Sequence, residues 1–206
     1  MEQNVSMKIN ELPSPTWNWL KVNETPIKWS NKIEPCEIAA EGDAVATETE
    51  QLSDIETGAG READAIFATE NTAKYQILAD NAGQDKTVRL HISGKKDAHT
   101  AGCVEIVAKE NSTLTVVMDS RVAPDATKEE DSTAEASLAV RVRMKVESGA
   151  SVRLVQVQMP QEHETLLSDI GGNLIGEGAK VEYIQLFLGK GNLYSGSVSY
   201  THLRAH

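Results

Sequence analysis

The sequence predicts a mainly β chain whose strands stack as a parallel β-helix, a solenoid, behind a short irregular and helical N-terminal region. Three observations carry this expectation. From about residue 74 the apolar residues recur at every second position, the period of a strand with one buried face. The turns separating these runs resemble one another at a near-constant interval, the mark of a stacked array. With 206 residues the chain is long enough to bury a core without disulfide or metal support.

Four segments follow in order. Residues 1–37 form a Trp/Pro-rich arm in which Pro13, Pro15, Pro26 and Pro35 surround Trp17, Trp19, Leu20 and Trp29. Prolines this dense exclude long helices, so a short helical turn after Pro15 and otherwise extended chain are expected, clamped by the tryptophans onto the body. Residues 38–73 read as an acidic connector and a short helix. Residues 38–57 are rich in Glu, Asp, Ala and Thr and are expected to be mobile or weakly helical. Leu52, Ile55, Ala63, Ile66 and Phe67 then recur at helical spacing around Gly58-Ala59-Gly60, which predicts one amphipathic helix or a Gly-interrupted pair.

Residues 74–197 are the β core. Alternation runs through Tyr75, Ile77 and Ala79; Val88, Leu90 and Ile92; Val104, Ile106 and Ala108; and Leu114, Val116 and Met118. It continues through Leu138, Val140, Val142, Met144 and Val146; Val152, Leu154 and Val157; and Val181, Tyr183 and Leu186. The turn Glu147-Ser148-Gly149-Ala150 matches Glu177-Gly178-Ala179 at an interval of 178 − 149 = 29 residues. Asn111 occupies the corresponding place one repeat earlier, and both Asn and Gly tolerate the positive φ of a tight corner. That step is longer because residues 124–136 form a polar acidic insertion. A propeller lacks support because WD dipeptides are absent. An ordinary β-sandwich with similar-looking glycine turns is the alternative.

Charge and composition narrow the function. Twenty basic against 31 acidic side chains give a formal charge of −11, which repels nucleic acid and anionic membrane. No apolar run approaches a membrane span and the first residues lack a signal-peptide pattern, so the cytoplasm is the expected location. Cys36 and Cys103 stand apart without a CxxC or Cys/His cluster and are expected to be reduced thiols. Cys103, ahead of Val104 and Ile106, reads as a core or strand-edge thiol rather than a nucleophile, since no base is identified beside it.

His91, His99 and His163 are well separated and read as surface residues rather than metal ligands. Gly171-Gly172 and Gly189-Lys190-Gly191 lack the Lys-Ser/Thr of a phosphate loop and read as turns. Glu162 and Glu164, either side of His163, read as a solvated loop. A glycan-cleaving β-helix needs carboxylates converging on one groove, whereas the outward positions here carry Arg141, Arg143, Lys145, Arg153 and Glu182. No catalytic, cofactor-binding or metal-binding residue is assigned, and the chain is not expected to be an enzyme.

The segment Leu12-Pro13-Ser14-Pro15-Thr16-Trp17-Asn18-Trp19-Leu20-Lys21-Val22-Asn23 resembles the N-terminal signature of the SufD branch of the SufB/SufD scaffold family. Ile55-Glu56-Thr57-Gly58-Ala59-Gly60, the following helix and repeats, and the Gly176-Glu177-Gly178-Ala179 turn resemble the same family in the same order. The resemblance implies a right-handed parallel β-helix that pairs with a SufB-type partner. It also implies an ABC-type ATPase, of the SufC type, carried through a C-terminal region that lies beyond the segments seen here. Together these build iron-sulfur clusters, with no cofactor bound by this chain itself. The last nine residues, Val198 to His206, resemble the in-frame translation of a transposon-end sequencing adapter, so residues 198–206 are expected to be a non-native tail. The expected function is a non-catalytic scaffold subunit of the SUF iron-sulfur assembly machinery. A β-helical polysaccharide-active enzyme and a purely structural β-solenoid are the alternatives.

Overall fold

The computed structural model describes residues 4–11, 24–68, 70, 72–80, 82–123 and 135–202. The expected helical turn after Pro15, the Trp17/Trp19 pair and most of the 124–136 insertion lie outside the described residues. The chain begins with β1 (Asn4–Ile9) and β2 (Thr25–Ser30), an antiparallel pair that sets Val5 against Trp29 and Met7 against Ile27. The short strands β3 (Glu34–Pro35), β4 (Glu37–Gly42) and β5 (Val45–Glu48) follow. One 3-10 turn (Arg61–Ala63) then runs into α1 (Asp64–Phe67).

Nine longer strands complete the chain. They are β6 (Ala73–Ala79), β7 (Asp85–Ser93), β8 (His99–Ala108), β9 (Thr113–Arg121), β10 (Ser137–Val146), β11 (Ser151–Gln158), β12 (Thr165–Ile175), β13 (Lys180–Phe187) and β14 (Asn192–His202). Successive strands alternate between two sheets, and each pairs in parallel with the strand two positions further on. Sheet I has the order β14-β12-β10-β8-β6-β5 with β3 on the edge of β8, and sheet II the order β13-β11-β9-β7-β4. The 29-residue interval read from the turns is a structural register: Val152 stands against Val181 and against Leu114 on its other side.

The corners explain why these turns look alike. Gly83, Asn111, Gly149 and Gly178 all have φ between +56° and +77°. They stack one above another, with the Gly83 amide donating to the Asn111 carbonyl (3.2 Å), that of Asn111 to the Ser148 carbonyl (3.0 Å) and that of Gly149 to the Glu177 carbonyl (2.9 Å). A left-handed backbone costs an ordinary residue about 1–2 kcal/mol, which is why Gly and Asn recur there.

Two apolar layers result. Between the sheets, Val88, Leu90, Ile106, Leu114, Leu138 and Leu154 form the main core. The opposite face of sheet I is covered by the N-terminal pair and α1, giving a second core with Ile9, Ile27, Trp29, Ile66, Phe67 and Leu167. Strands β8, β10 and β12 are therefore buried on both faces, so Leu138-Ala139-Val140 reads as a continuous apolar run instead of an alternation.

Several expectations are corrected. The acidic stretch 38–57 holds strands rather than weak helix: β4 lies antiparallel on β7, and β5 antiparallel on β6. Glu37, Glu41 and Glu48 are solvated there, so acidic composition and strand structure are compatible. The helix expected before residue 71 is a 3-10 turn and one α-turn, because Gly60 enters it at φ 92° without a side-chain cap. Gly171-Gly172 is no turn but lies inside β12. In β11 the inward residues after Leu154 are Gln156 and Gln158, and Val157 faces outward. Gln156 Oε1 accepts from Ser168 Oγ and from the Tyr183 hydroxyl, both at 2.9 Å, so the polar group is hydrogen-bonded inside the sandwich. Apart from these corrections, Val198 to Thr201 lie within β14 along β12, with Val198 against Gly171 and Tyr200 against Asn173.

Gly149→Ala is expected to lower stability by about 1–2 kcal/mol, from the left-handed φ and from a Cβ that would lie 2.3 Å from Asn111 Oδ1. Gly149→Asn is expected to lose less. Urea denaturation midpoints check both, and equal loss by the two variants would contradict the corner argument.

Candidate functional site

The outer face of sheet I carries charge where a covered sheet would ordinarily be apolar. In-register parallel pairing sets side chains of equal height side by side. One row runs Lys74, Cys103, Arg141, Asp169, Gly196; the next runs Gln76, Glu105, Arg143, Gly171, Val198. Glycine at 171 and 196 has a steric cause. A Cβ on Gly171 would meet the Glu56 carbonyl at 2.1 Å, and one on Gly196 the Ala59 amide nitrogen at 2.6 Å. The segment 56–60 lies directly on the sheet in that trough, its Gly58 amide donating to the Ile170 carbonyl at 3.0 Å.

Asp169 is fully buried beneath this segment. Its carboxylate accepts from Thr57 Oγ1 (2.7 Å), the Ala59 amide (2.8 Å) and Arg141 Nε (2.7 Å). Arg141 in turn bonds Asp64 through Nη1 at 2.8 Å, and its guanidinium lies 4.2 Å from the centre of the Phe67 ring. Glu105, also buried, accepts from Gln76 Nε2 (2.6 Å), the Ser53 amide (2.9 Å) and the Ser53 hydroxyl. Arg143 donates through Nη1 to the Ser53 carbonyl at 2.9 Å. Arg141 and Arg143, expected at outward positions, do point away from the main core, but the 52–67 segment covers them. Arg153 and Glu182 remain exposed and pair with each other at 2.5 Å on sheet II, while Lys145 is partly covered.

A cavity of about 1130 Å³ opens between this face and its cover, lined by Cys103, Arg141, Arg143, Lys74, Asp54 and Glu56 among others. A second, of about 780 Å³, is lined by Cys36, Lys74 and Tyr75. Both cysteines are free and buried. Burial pushes the Cys36 thiol up to about 12, and it pushes Cys103 up to about 11 against the pull of Arg141, Arg143 and Lys74.

The remaining residues singled out in the sequence do not converge. His91 pairs with Asp119 across β7 and β9 at 2.6 Å. His99 contacts Ser137 Oγ through Nδ1 at 2.6 Å and lies beside the Trp29 ring, so it is half-buried rather than a plain surface residue. His163 occupies a corner with φ 68°. Glu164 is not solvated: it accepts the Gln161 amide at 2.6 Å, and burial pushes its carboxyl above the usual range. Gly189-Lys190-Gly191 does turn the chain, with the Lys190 amide on the Pro160 carbonyl at 2.8 Å. Among the described residues no group of three His, Cys, Asp or Glu is placed to hold a metal, and no helix is long and apolar enough to cross a membrane. Comparison of the chain with family models, with curated proteins and with solved structures returned no match.

Sequence reasoning missed Asp169 and Glu105 as centres of the polar layer. The available signal was a pair of acids inside otherwise apolar strand patterns, each one register step from an arginine.

Asp169→Asn leaves the buried Arg141 with only the exposed Asp64 as counter-charge and is expected to cost about 3 kcal/mol, the lower end for a broken buried pair, with Arg141→Met plus Asp169→Asn losing less than the sum of the singles. A double-mutant cycle in urea measures this. The thiols are expected to react with iodoacetamide at least about tenfold more slowly than in the unfolded chain at neutral pH. Because their native pKa values are raised, stability is expected to fall as pH rises from about 9, where unfolded thiols ionise, toward 11–12. A flat stability profile over that range would contradict the burial.

Proposed function

We propose that this chain is a scaffold subunit of the SufB/SufD type, a right-handed parallel β-helix that works in iron-sulfur cluster assembly by presenting surfaces and not by turnover. The observation that carries the reading is the strand order. Nine consecutive strands alternate between two sheets, all paired in parallel at intervals of 27 to 38 residues, and a stack of such units is what a β-helical scaffold requires. The Ile55-Glu56-Thr57-Gly58-Ala59-Gly60 segment adds support, since it is a built element that closes over sheet I and not a linker.

The partners that go with this reading are a SufB-type scaffold and a SufC-type ATPase, in the cytoplasm, with no nucleic acid or membrane involved. The polysaccharide-enzyme alternative draws less support. Asp169 and Glu105 are buried on strands separated by β10, and each already accepts three hydrogen bonds.

Mixing the purified chain with a SufB-type scaffold, each at about 10 μM, is expected to give one co-eluting complex on size-exclusion chromatography with light scattering, since a stable pair has a Kd well below that concentration. Separate elution of the two, or hydrolysis of a glycan by the chain alone, would overturn the proposal.

A further inference from the structure

The polar layer on sheet I is satisfied at every buried carboxylate but not at its arginines. The Arg141 side chain is 4% exposed, and after Asp169 and Asp64 have taken Nε and Nη1 its Nη2 has no partner. Arg143 is 18% exposed; Nη1 meets Ser53 and Nη2 stands 4.0 Å from Asp54, while its buried Nε has no partner. These two side chains are two residues apart on β10, project from the same face, and line the same cavity of about 1130 Å³. A desolvated donor left without an acceptor costs about 1–3 kcal/mol, and more when charged. The two side chains line one cavity wall, and each keeps a buried N–H without an acceptor, so they form a cationic pair with an acceptor missing. The guanidinium fork matches the planar geometry of a carboxylate. The stacking on Phe67 and the bond to Asp169 hold the Arg141 plane fixed before any ligand arrives.

The mouth of the cavity has the opposite character. Glu50, Asp54, Glu56, Glu62 and Asp64 line it and are solvent-exposed, outnumbering the exposed Lys8 and Arg61 and the half-buried Lys74 on the same lining. In a chain of net charge −11 this rim works against a multiply charged anion, whereas it favours a ligand whose outer end is cationic.

We propose that this cavity binds a small zwitterion, with a carboxylate group on the unpaired N–H groups of Arg141 and Arg143 and an ammonium group toward the acidic rim. The site is independent of the scaffold assignment, for it rests only on the contents of this cavity.

The test is an NMR titration of the full chain, following the arginine side-chain N–H resonances, with 4-aminobutyrate, acetate and inorganic phosphate as probes. Saturable shifts of Arg143 Nε–H are expected, with 4-aminobutyrate half-saturating at a concentration about threefold to fivefold below that of acetate, the contribution of an exposed ion pair. Asp54→Asn removes the carboxylate that stands 4.0 Å from Arg143 Nη2, and it is expected to shrink that preference while leaving acetate binding as tight or tighter. Arg143→Gln is expected to abolish the saturable shifts of the Arg141 side-chain N–H resonances. Unmoved resonances with all three probes would mean that the orphan donors are merely hydrated. Equal affinity for acetate and 4-aminobutyrate, or tightest binding of phosphate, would also overturn the proposal.

Discussion

The carboxylate of Asp169 is the interaction on which the architecture of this molecule turns. It sits on β12, one strand in from the β14 edge of sheet I, out of contact with water, and a bare charge there would be prohibitive. It is tolerated because three donors converge on it: a guanidinium from the next strand, and a hydroxyl and a backbone amide from the segment that crosses above. Those same bonds fix the 56–60 segment in the glycine-lined trough. With the segment fixed, α1 and the N-terminal strand pair have a surface to pack on, and sheet I acquires its second apolar layer. Removing the acid would therefore disturb more than one ion pair, since it would unfasten the cover from the sheet.

The β body was legible in the sequence wherever one face of a strand meets the core and the other meets solvent, as in Val88-Leu90-Ile92 and Leu114-Val116-Met118. Corner residues were legible too, because a left-handed φ restricts the residue type at Asn111, Gly149 and Gly178. Legibility failed where a second layer adds contacts that periodicity does not encode. Gly171 looked like a turn residue because glycine is read by default as backbone freedom; here its lack of a side chain makes room for another segment of chain. The 38–57 stretch looked mobile or weakly helical because its acids signal solvent, yet an edge strand such as β4 or β5 is solvated on most of its surface. Gln156 defeated the alternation outright, since a hydrogen-bonded amide can take a core position that pattern assigns to a hydrophobe.

The candidate site was partly legible in the same sense. Arg141 and Arg143 stood out as outward charges in an apolar strand, and their alternation correctly placed them on one face. What the sequence could not supply was the lid. Arg141 becomes buried only because residues some 80 positions earlier return across sheet I, and that return depends on contacts between segments with no local signal.

The antiparallel strands β4 and β5 give the molecule a polarity. They reverse direction at one pole, close both sheets there with short edges of six and four residues, and carry acidic side chains. At the other pole β13 and β14 are longer, run in the common direction, and leave Ile184, Leu186 and Phe187 more than a third exposed. Any further unit laid onto the stack meets a matching direction, register and apolar surface at one pole alone. Length is thus a free variable at one pole of this architecture and a fixed quantity at the other.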